Sequence, residues 1–380
     1  MIIFGNVMEL NEILSVTGTD YLKMTIRLLE EADLASRIGD RSSRIALKPN
    51  LVSPSPPSYG ATTHTEIVAG IITYLRERGF GDIRIMESSW VGARTKDSME
   101  IAGYDILCRE YDVPFLDMQK EKSFIKDCAG MKLSICNAVK DVDFLINIPV
   151  LKGHCQTRMT CCLKNLKGLI PSKEKRRFHS MGLHKPIAHL AAGIRQDFIV
   201  VDNICGDPDF EDGGNPLVRN RIFAGCDPVL LDTYGCRILD LDPEDVGYLV
   251  LAAGLGVGSM DIQHARIRTL DDKGSGQEEP VPHKIVALSD AVEEVESCSA
   301  CYGSLIPVLE RLRSEFEETG RPWDLPALLG DKICIGQGWQ GKSGRIGIGR
   351  CTRAFEYNIG GCPPEQEEIY SFLRRLIDIS

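Results

Sequence analysis

A continuous apolar run, VDFLINIPVL at residues 142–151, constrains the fold more than any other stretch of this chain. Runs of this kind form strands that are covered on both faces, as in parallel sheets flanked by helices. From about residue 20 to about residue 290, short apolar runs alternate with amphipathic helical stretches. This alternation predicts an α/β fold with a mainly parallel, layered sheet.

The chain is long enough for two domains. The stretch LDDKGSGQEEPVPHK at 270–284 is rich in Gly, Pro and Glu and has almost no large apolar residue, which is typical of a linker. We therefore expect an α/β domain over residues 1–275 and a smaller α/β domain over residues 285–380.

The net charge of −10 is unevenly distributed. Between Lys152 and His189 there are nine Lys or Arg residues and one acidic residue, Glu174. Such a stretch is either a solvated basic loop or an anion-binding site. It contains few aromatic residues and the sequence pI is about 5.3, so nucleic-acid binding is not expected.

Fourteen cysteines are many for a chain of this size. In a reducing compartment, cysteines are more often buried thiols, metal ligands or redox groups than disulfides. Cys298 and Cys301 form a Cys-x-x-Cys pair at a predicted loop-to-helix junction, and a helix N-terminus favours the thiolate form. Cys351 and Cys362 follow in a glycine-rich stretch that allows close backbone approach. These four cysteines are the predicted metal ligands.

One close pair plus two distant thiolates fits a [4Fe–4S] cluster better than a structural zinc site, which usually has two close pairs. A zinc site and a domain without metal remain open alternatives. Cys334, in KICIGQGW, is expected to be a buried thiol and is the substitute ligand if one of the four is misassigned. The adjacent Cys161 and Cys162 are expected to pack in the core.

The C-terminal pattern resembles known iron–sulfur proteins. Over about residues 291–380, the Cys-x-x-Cys pair, a distant Cys in a Gly-rich stretch and GGCPPE are similar to the proximal-cluster domain in the small subunits of respiratory complex I and of nickel–iron hydrogenases. The resemblance implies a flavodoxin-like α/β domain in which the four cysteines bind one [4Fe–4S] cluster.

A second resemblance covers about residues 45–260. The segments LKPNLV, THTEIVAGIITYLRERG, IMESS, DFLINIPVLKGH, CLKNLKGLIP, FHSMGLHKPIAHLAA and GCDPVLLDTYGCRIL are similar, in this order, to the domain-of-unknown-function family 362. Members of that family often carry iron–sulfur motifs. The resemblance implies no particular reaction.

Polar residues at predicted strand ends mark a candidate ligand site, because open α/β sheets bind ligands outside the carboxyl ends of their strands. The candidates for catalysis are Lys152, His154 and Glu87. The candidates for binding an anionic or carboxylate-bearing ligand are Lys48, Asn50, Lys164, Asn165, Lys167 and Asp202. Of the two carboxylates in these sets, Glu87 and Asp202, one would act as a general base or hold a metal. The alternative is that these side chains only meet solvent and cap loops.

Together these features predict a cytoplasmic, redox-active iron–sulfur protein that binds a small anionic molecule. Whether it is an enzyme stays open. As an enzyme it would be an oxidoreductase whose cluster exchanges electrons with the strand-end site or with a redox partner protein. One alternative is a non-catalytic electron carrier or cluster-delivery protein. Another is a metal-dependent enzyme in which the four cysteines hold a structural zinc ion. The N-terminus lacks the features of a signal peptide, and no apolar run is long enough to span a bilayer.

Overall fold

An eight-stranded and a four-stranded sheet dominate the computed structural model, which describes residues 8–271, 281 and 286–379. The chain divides into two compact units. The larger unit comprises the described parts of 1–154, 159–175 and 187–281. The smaller unit comprises 155–158, 176–186 and the described parts of 282–380.

The strands of the described residues are, in chain order, β1 (Glu12–Thr17), β2 (Ile45–Pro49), β3 (Ile83–Glu87), β4 (Phe115–Asp117), β5 (Ser123–Cys128), β6 (Met131–Cys136), β7 (Phe144–Ile148), β8 (Lys152–His154), β9 (Arg158–Thr160), β10 (Phe198–Gly206), β11 (Leu217–Gly225), β12 (Arg266–Thr269), β13 (Val292–Glu294), β14 (Ile333–Ile335), β15 (Ile346–Ile348) and β16 (Tyr357–Ile359).

The α-helices of the same residues are α1 (Tyr21–Glu31), α2 (Leu34–Ile38), α3 (Thr65–Glu77), α4 (Thr95–Ile101), α5 (Tyr104–Glu110), α6 (Cys162–Asn165), α7 (Ser172–Met181), α8 (His184–Gly193), α9 (Pro228–Ile238), α10 (Gly247–Gly254), α11 (Val286–Ser289), α12 (Ser299–Glu318), α13 (Leu325–Leu329) and α14 (Gln366–Ile379).

The sheet of the larger unit has the strand order β12-β1-β11-β10-β7-β2-β3-β4. Neighbours from β10 to β4 are parallel, and β11 is antiparallel to both of its neighbours. From β2 the chain adds β3 and β4 on one side and then crosses to add β7 and β10 on the other. The boundary between β2 and β7 is therefore a topological switch point, the position at which open α/β sheets bind ligands.

The central strands explain why the sheet is layered. Strands β2, β7 and β10 are buried along their whole length. Since successive side chains of a strand point to opposite faces, both faces must be covered. Leu28 of α1 and Ile71 of α3 belong to the same apolar cluster as Ile146 of β7. Each such side chain contributes about 1.5–3 kcal/mol by burial. The predicted mainly parallel α/β class is confirmed.

The smaller unit has a parallel four-stranded sheet in the order β13-β14-β15-β16. It is an α/β unit, as predicted, but its strands follow chain order, whereas flavodoxins have the order 2-1-3-4-5. Helices α12 and α14 contact each other: Tyr370 Oη donates to Glu315 Oε1 at 2.8 Å, and Arg311 pairs with Glu367 at 2.8 Å.

The basic segment was predicted to be either a solvated loop or an anion-binding site, and much of it is helical. Residues 172–193 are not a loop, because they form α7 and α8. Phe178 is fully buried, so α7 has an apolar side that packs against the protein. Most of the predicted linker, 270–284, lies outside the described residues. Among the described helices, none has the length and apolarity needed to cross a bilayer.

Candidate functional site

The switch point of the larger sheet holds a buried lysine–glutamate pair. Lys48 of β2 donates through Nζ to Glu87 at the end of β3. The same Nζ donates to Pro49 O at 2.7 Å and to Asn165 Oδ1 at 3.2 Å. The two charged side chains are 0% and 3% exposed, so each neutralises the other where an unpaired charge would be costly.

Asparagine side chains extend this network to β7. Asn165 Nδ2 donates to Lys48 O at 3.2 Å and to Asn147 Oδ1 at 2.7 Å. Asn147 lies opposite Lys48 in the β2–β7 pairing, and its Nδ2 donates to Cys162 O at 2.9 Å. The short helix α6 is thereby held against the switch point.

Lys152 of β8 is a buried cation whose described acceptors are neutral. Its Nζ donates to the carbonyl oxygens of Ala61 at 2.6 Å and Glu211 at 2.7 Å, and the residue is 1% exposed. Burial and the charge of Lys164 together lower the pKa of Lys152 to about 7, although the charges of Glu211, Asp212 and Glu87 act in the opposite direction. Lys164 is itself buried and donates to Thr160 Oγ1 at 3.0 Å.

Lys175 of α7 is in a similar position. Its Nζ donates to Ser88 O (2.6 Å), Ser88 Oγ (2.7 Å) and Ser89 O (2.6 Å), which are neutral groups just beyond β3. Burial lowers the pKa of Lys175 to about 8. An anion bound near either amine would stabilise its charged form. We refer to Lys48, Lys152, Lys175, Glu87 and Asn165 as the lysine centre.

Two predicted binding residues have other tasks or lie at the margin. Asn50 closes the turn after β2, because its backbone N–H donates to Thr63 Oγ1 at 2.8 Å and its Oδ1 accepts from Val52 N at 3.2 Å. Lys167 lies in the 3-10 turn Leu166–Leu169, where burial lowers its pKa. Asn50 thus shapes the loop beside the switch point, and Lys167 borders it.

The remaining predicted residues of the larger unit lie on neighbouring strands. His154 ends β8, with Nε2 3.5 Å from Glu211 Oε1. Asp202 of β10 is paired with His64, at 2.9 Å between Oδ2 and Nδ1. The structure therefore brings Lys48, Glu87 and Asn165 into direct contact and places His154 and Asp202 outside that group. The assignment of these residues to a ligand or a reaction stays a prediction.

Three predicted metal-binding cysteines line one cavity of the smaller unit. Cys298, Cys351 and Cys362 surround a volume of about 550 Å³, which we call the cysteine cavity. The fourth residue, Cys301, has its Sγ 3.8 Å from Cys298 Sγ. All fourteen cysteines are free thiols. Residues separated by up to 64 positions in the sequence are thus gathered around one space.

The local backbone explains this gathering. Cys298 caps the N-terminus of α12, and Cys301 lies in its first turn. The hydrogen bond between the two sulfur atoms, aided by backbone N–H groups, lowers the pKa of Cys298 to about 6 and raises the pKa of Cys301. Gly361, directly before Cys362, has a φ of 118°, and a Cβ there would lie 2.6 Å from Pro364 Cα.

Polar side chains complete the lining of the cysteine cavity. Gln340 Nε2 donates to Cys351 Sγ at 3.5 Å. Arg350 and Arg353 line the same space and bring positive charge to it. These groups can hold an anionic centre, because they supply hydrogen-bond donors and opposite charge.

The other cysteines considered in the sequence lie elsewhere. Cys334 of β14 is buried, its thiol lies 3.9 Å from Glu293 Oε2, and it does not line the cysteine cavity. Cys161 and Cys162 are fully buried with their sulfur atoms 3.6 Å apart. Asp232 Oδ1 accepts from the backbone N–H of Cys162 at 2.7 Å, which anchors α6 to α9.

Sequence reasoning missed one residue of the lysine centre, Lys175, and one residue that contacts it, Asn147. Asn147 carries a signal that could have found it, since it is a polar residue inside an apolar run that predicts burial on both faces. Lys175 carries none, because it is one of several basic residues in a charged segment.

Two known proteins resemble parts of this chain. The thylakoid-associated protein sll1697 of Synechocystis is 27% identical over 221 residues, which cover 56% of this chain and 68% of that protein. The structure of the lactate racemase apoprotein from Thermoanaerobacterium thermosaccharolyticum aligns with a TM-score of 0.42 and 14% identity. That alignment covers 61% of this chain and 57% of the racemase, which is less than two thirds of its length.

The profile of one protein family, described as a domain of unknown function (DUF362), matches residues 45–237, just over half of the chain. The matched residues include β2, β3, β7 and β10, which carry the switch point. The chain belongs to the DUF362 family.

Proposed function

We propose that this protein holds one [4Fe–4S] cluster in the cysteine cavity and binds a small anionic ligand at the lysine centre. The observation that carries the first part is the arrangement of three cysteines around about 550 Å³, with the fourth 3.8 Å from one of them. Cys298, Cys301, Cys351 and Cys362 would be the four ligands.

The dimensions favour a cluster over a single zinc ion. Zinc bound by four thiolates at about 2.3 Å in a tetrahedron needs every sulfur–sulfur distance to be near 3.8 Å. The Cys298–Cys301 pair meets this distance. In the part of the chain that the structure describes, however, no three of the four sulfur atoms lie within 4.8 Å of one another. The four sulfur atoms therefore do not all meet the spacing of a tetrahedral zinc site, and the cavity of about 550 Å³ has room for a larger inorganic group.

The residues of the cavity have distinct roles in this proposal. A bound cluster supplies one-electron transfer. The N-terminus of α12, Gln340 and the two cavity arginines favour its negative charge. Cys362 is exposed, so one ligand reaches the surface, where a redox partner protein could approach. Free thiols and such a centre suit a reducing compartment, and we therefore expect the cytoplasm.

The lysine centre supports the second part of the proposal. Lys152 and Lys175 are buried and donate to neutral oxygens, and burial outweighs the charges of nearby carboxylates such as Glu87, so a bound anion would stabilise the protonated amines. A pure electron carrier has no need of such a group in a separate unit. We therefore favour an oxidoreductase acting on an anionic substrate, with Lys152, His154 and Glu87 as the candidates for proton transfer.

The test of the cluster is an anaerobic absorption spectrum with iron, sulfide and zinc analysis of the purified full chain. Wild type should contain about four iron and four sulfide per chain and absorb broadly in the visible range. Cys362→Ser should lose most of both, because it removes a cavity ligand. Cys334→Ser is the matched control and should retain them, since Cys334 does not line the cavity. A colourless wild type with one zinc per chain would overturn the proposal.

A further inference from the structure

Three buried side chains of the larger unit form a linear arrangement that is separate from the lysine centre. His64 Nδ1 lies 2.9 Å from Asp202 Oδ2, and His64 Nε2 lies 3.9 Å from Cys205 Sγ. The three residues, in the order His64, Asp202 and Cys205, are 9%, 0% and 5% exposed. A nucleophile next to a base that is oriented by a third group is the geometry of a catalytic triad.

An irregularity in β10 makes this arrangement possible. Asp202 and Cys205 are three positions apart, and in a regular strand their side chains would point to opposite faces. The pairing of β10 with β11 shifts its register between Asn203 and Cys205. A β-bulge of this kind redirects side chains and is common beside active sites. Here it brings Asp202 and Cys205 to the same imidazole.

Asp202 holds His64 in one orientation. Its Oδ2 accepts from both the backbone N–H of His64 (2.8 Å) and the ring, and its Oδ1 accepts from Ile204 N at 3.1 Å. Burial opposes protonation of His64, but the charge of Asp202 and its hydrogen bond outweigh burial and raise the pKa of His64 to about 10. Among the described residues, the titratable groups near this cluster include Tyr21, whose ring packs edge-on against His64, Tyr104 and Glu66.

The covering of Cys205 is thin. Its thiol lies 3.4 Å from Pro57 O, in the short turn Pro57–Tyr59. Ser58 and Tyr59 of that turn are exposed. A reagent could therefore reach the sulfur if this one turn were displaced. The alternative role is purely structural, with a neutral thiol donating to Pro57 O.

We propose that Cys205 is a nucleophile for acyl transfer from esters or thioesters, with His64 holding its proton and Asp202 positioning His64. The sulfur would form a bond to the acyl carbon as the bond to the leaving alcohol or thiol breaks, and His64 would deliver the proton to that leaving group. Water would then cleave the thioester, giving a carboxylic acid and returning a proton to the sulfur. No oxidant or reductant is needed.

The test uses site-resolved mass spectrometry of the full chain after exposure to iodoacetamide, and separately to p-nitrophenyl acetate. Cys226 is the matched internal control, because it is 6% exposed, and burial raises its pKa to about 11. We expect Cys205 to be alkylated at least about tenfold faster than Cys226 and to be the residue that becomes acetylated. His64→Gln should bring the alkylation rate of Cys205 down to that of Cys226 and abolish acetylation.

Asp202→Asn tests the positioning role through the pH profile. Because Asp202 raises the pKa of His64 to about 10, the imidazole of the wild type keeps its proton between about pH 6 and 9 and the rate at Cys205 should change little, whereas in the variant the imidazole loses its proton within this range and the rate should depend on pH. Unfolding of a variant would be recognised by faster labelling of Cys226 as well. Equal rates at Cys205 and Cys226 in wild type, or an unchanged rate in folded His64→Gln, would overturn the proposal.

Discussion

Lys173 and Lys175 show how helical phase separates two neighbouring residues of the same type. Both lie in α7, but Lys173 is exposed, whereas Lys175 is 3% exposed and donates to Ser88 and Ser89. A step of two residues turns a helix by about 200°, so one side chain meets solvent when the other is buried. The excess of basic residues predicts an anion site, but it does not indicate which lysine lies in it.

This pair offers a direct test of anion binding. Lys175→Met should weaken binding of sulfate or oxalate about 10- to 100-fold, because a charged hydrogen bond to the anion is lost. Lys173→Met should bind as wild type does. Titration calorimetry at pH 7 and pH 9 checks both variants. Since the pKa of Lys175 is about 8, its cation is present at the lower pH and depleted at the higher pH, so wild-type affinity should fall between them. Equal binding by both variants would contradict the lysine centre.

The helices and strands that the sequence predicts best are those buried on both sides. IALKPNLV, VDFLINIPVL and FIVVDNI coincide with β2, β7 and β10, which are buried along their length. The hairpin β5–β6 was not predicted, because most of β5 is exposed and its sequence SFIKDC has no clear alternation. The order of strands was not predictable either, since it depends on contacts between distant segments. The switch point therefore emerged only from the structure.

The 3-10 turn Leu166–Leu169 packs directly against the Lys48–Glu87 pair at the switch point. A Cβ at Gly168 would overlap Glu87 Oε1 and lie 2.6 Å from Lys48 Nζ. Gly168→Ala should therefore push the turn away from the ion pair and lower the free energy of unfolding by about 1–3 kcal/mol. Gly254→Ala is the control, because a Cβ there meets nothing within 4 Å. Urea unfolding of both variants checks the prediction, and equal stability would show that the turn can move freely.

At the scale of the whole molecule, each unit has its own sheet, and the division is not a simple cut in the sequence. The predicted boundary near residue 280 assumed one contiguous domain on each side. In the structure, 155–158 and 176–186 also belong to the smaller unit. Within that unit, Gln156 Nε2 donates to Ser297 O at 3.0 Å, and His179 Nδ1 lies 2.7 Å from Ser299 Oγ. Sequence composition cannot reveal such exchanges, because they depend on side chains far apart in the chain.

Separate sheets predict separate unfolding, since a unit with its own core can melt on its own. Calorimetry should show two thermal transitions. Cys351→Ser should lower only the transition of the smaller unit, because a bound metal centre contributes its binding energy to folding. The shift should be about 4–8 °C for each kcal/mol lost.

Trp323 and Trp339 lie in the smaller unit and Trp90 in the larger one, so fluorescence of Trp90→Phe identifies the affected transition. A single transition, shifted as a whole by Cys351→Ser, would mean that the two units unfold as one and would contradict the prediction.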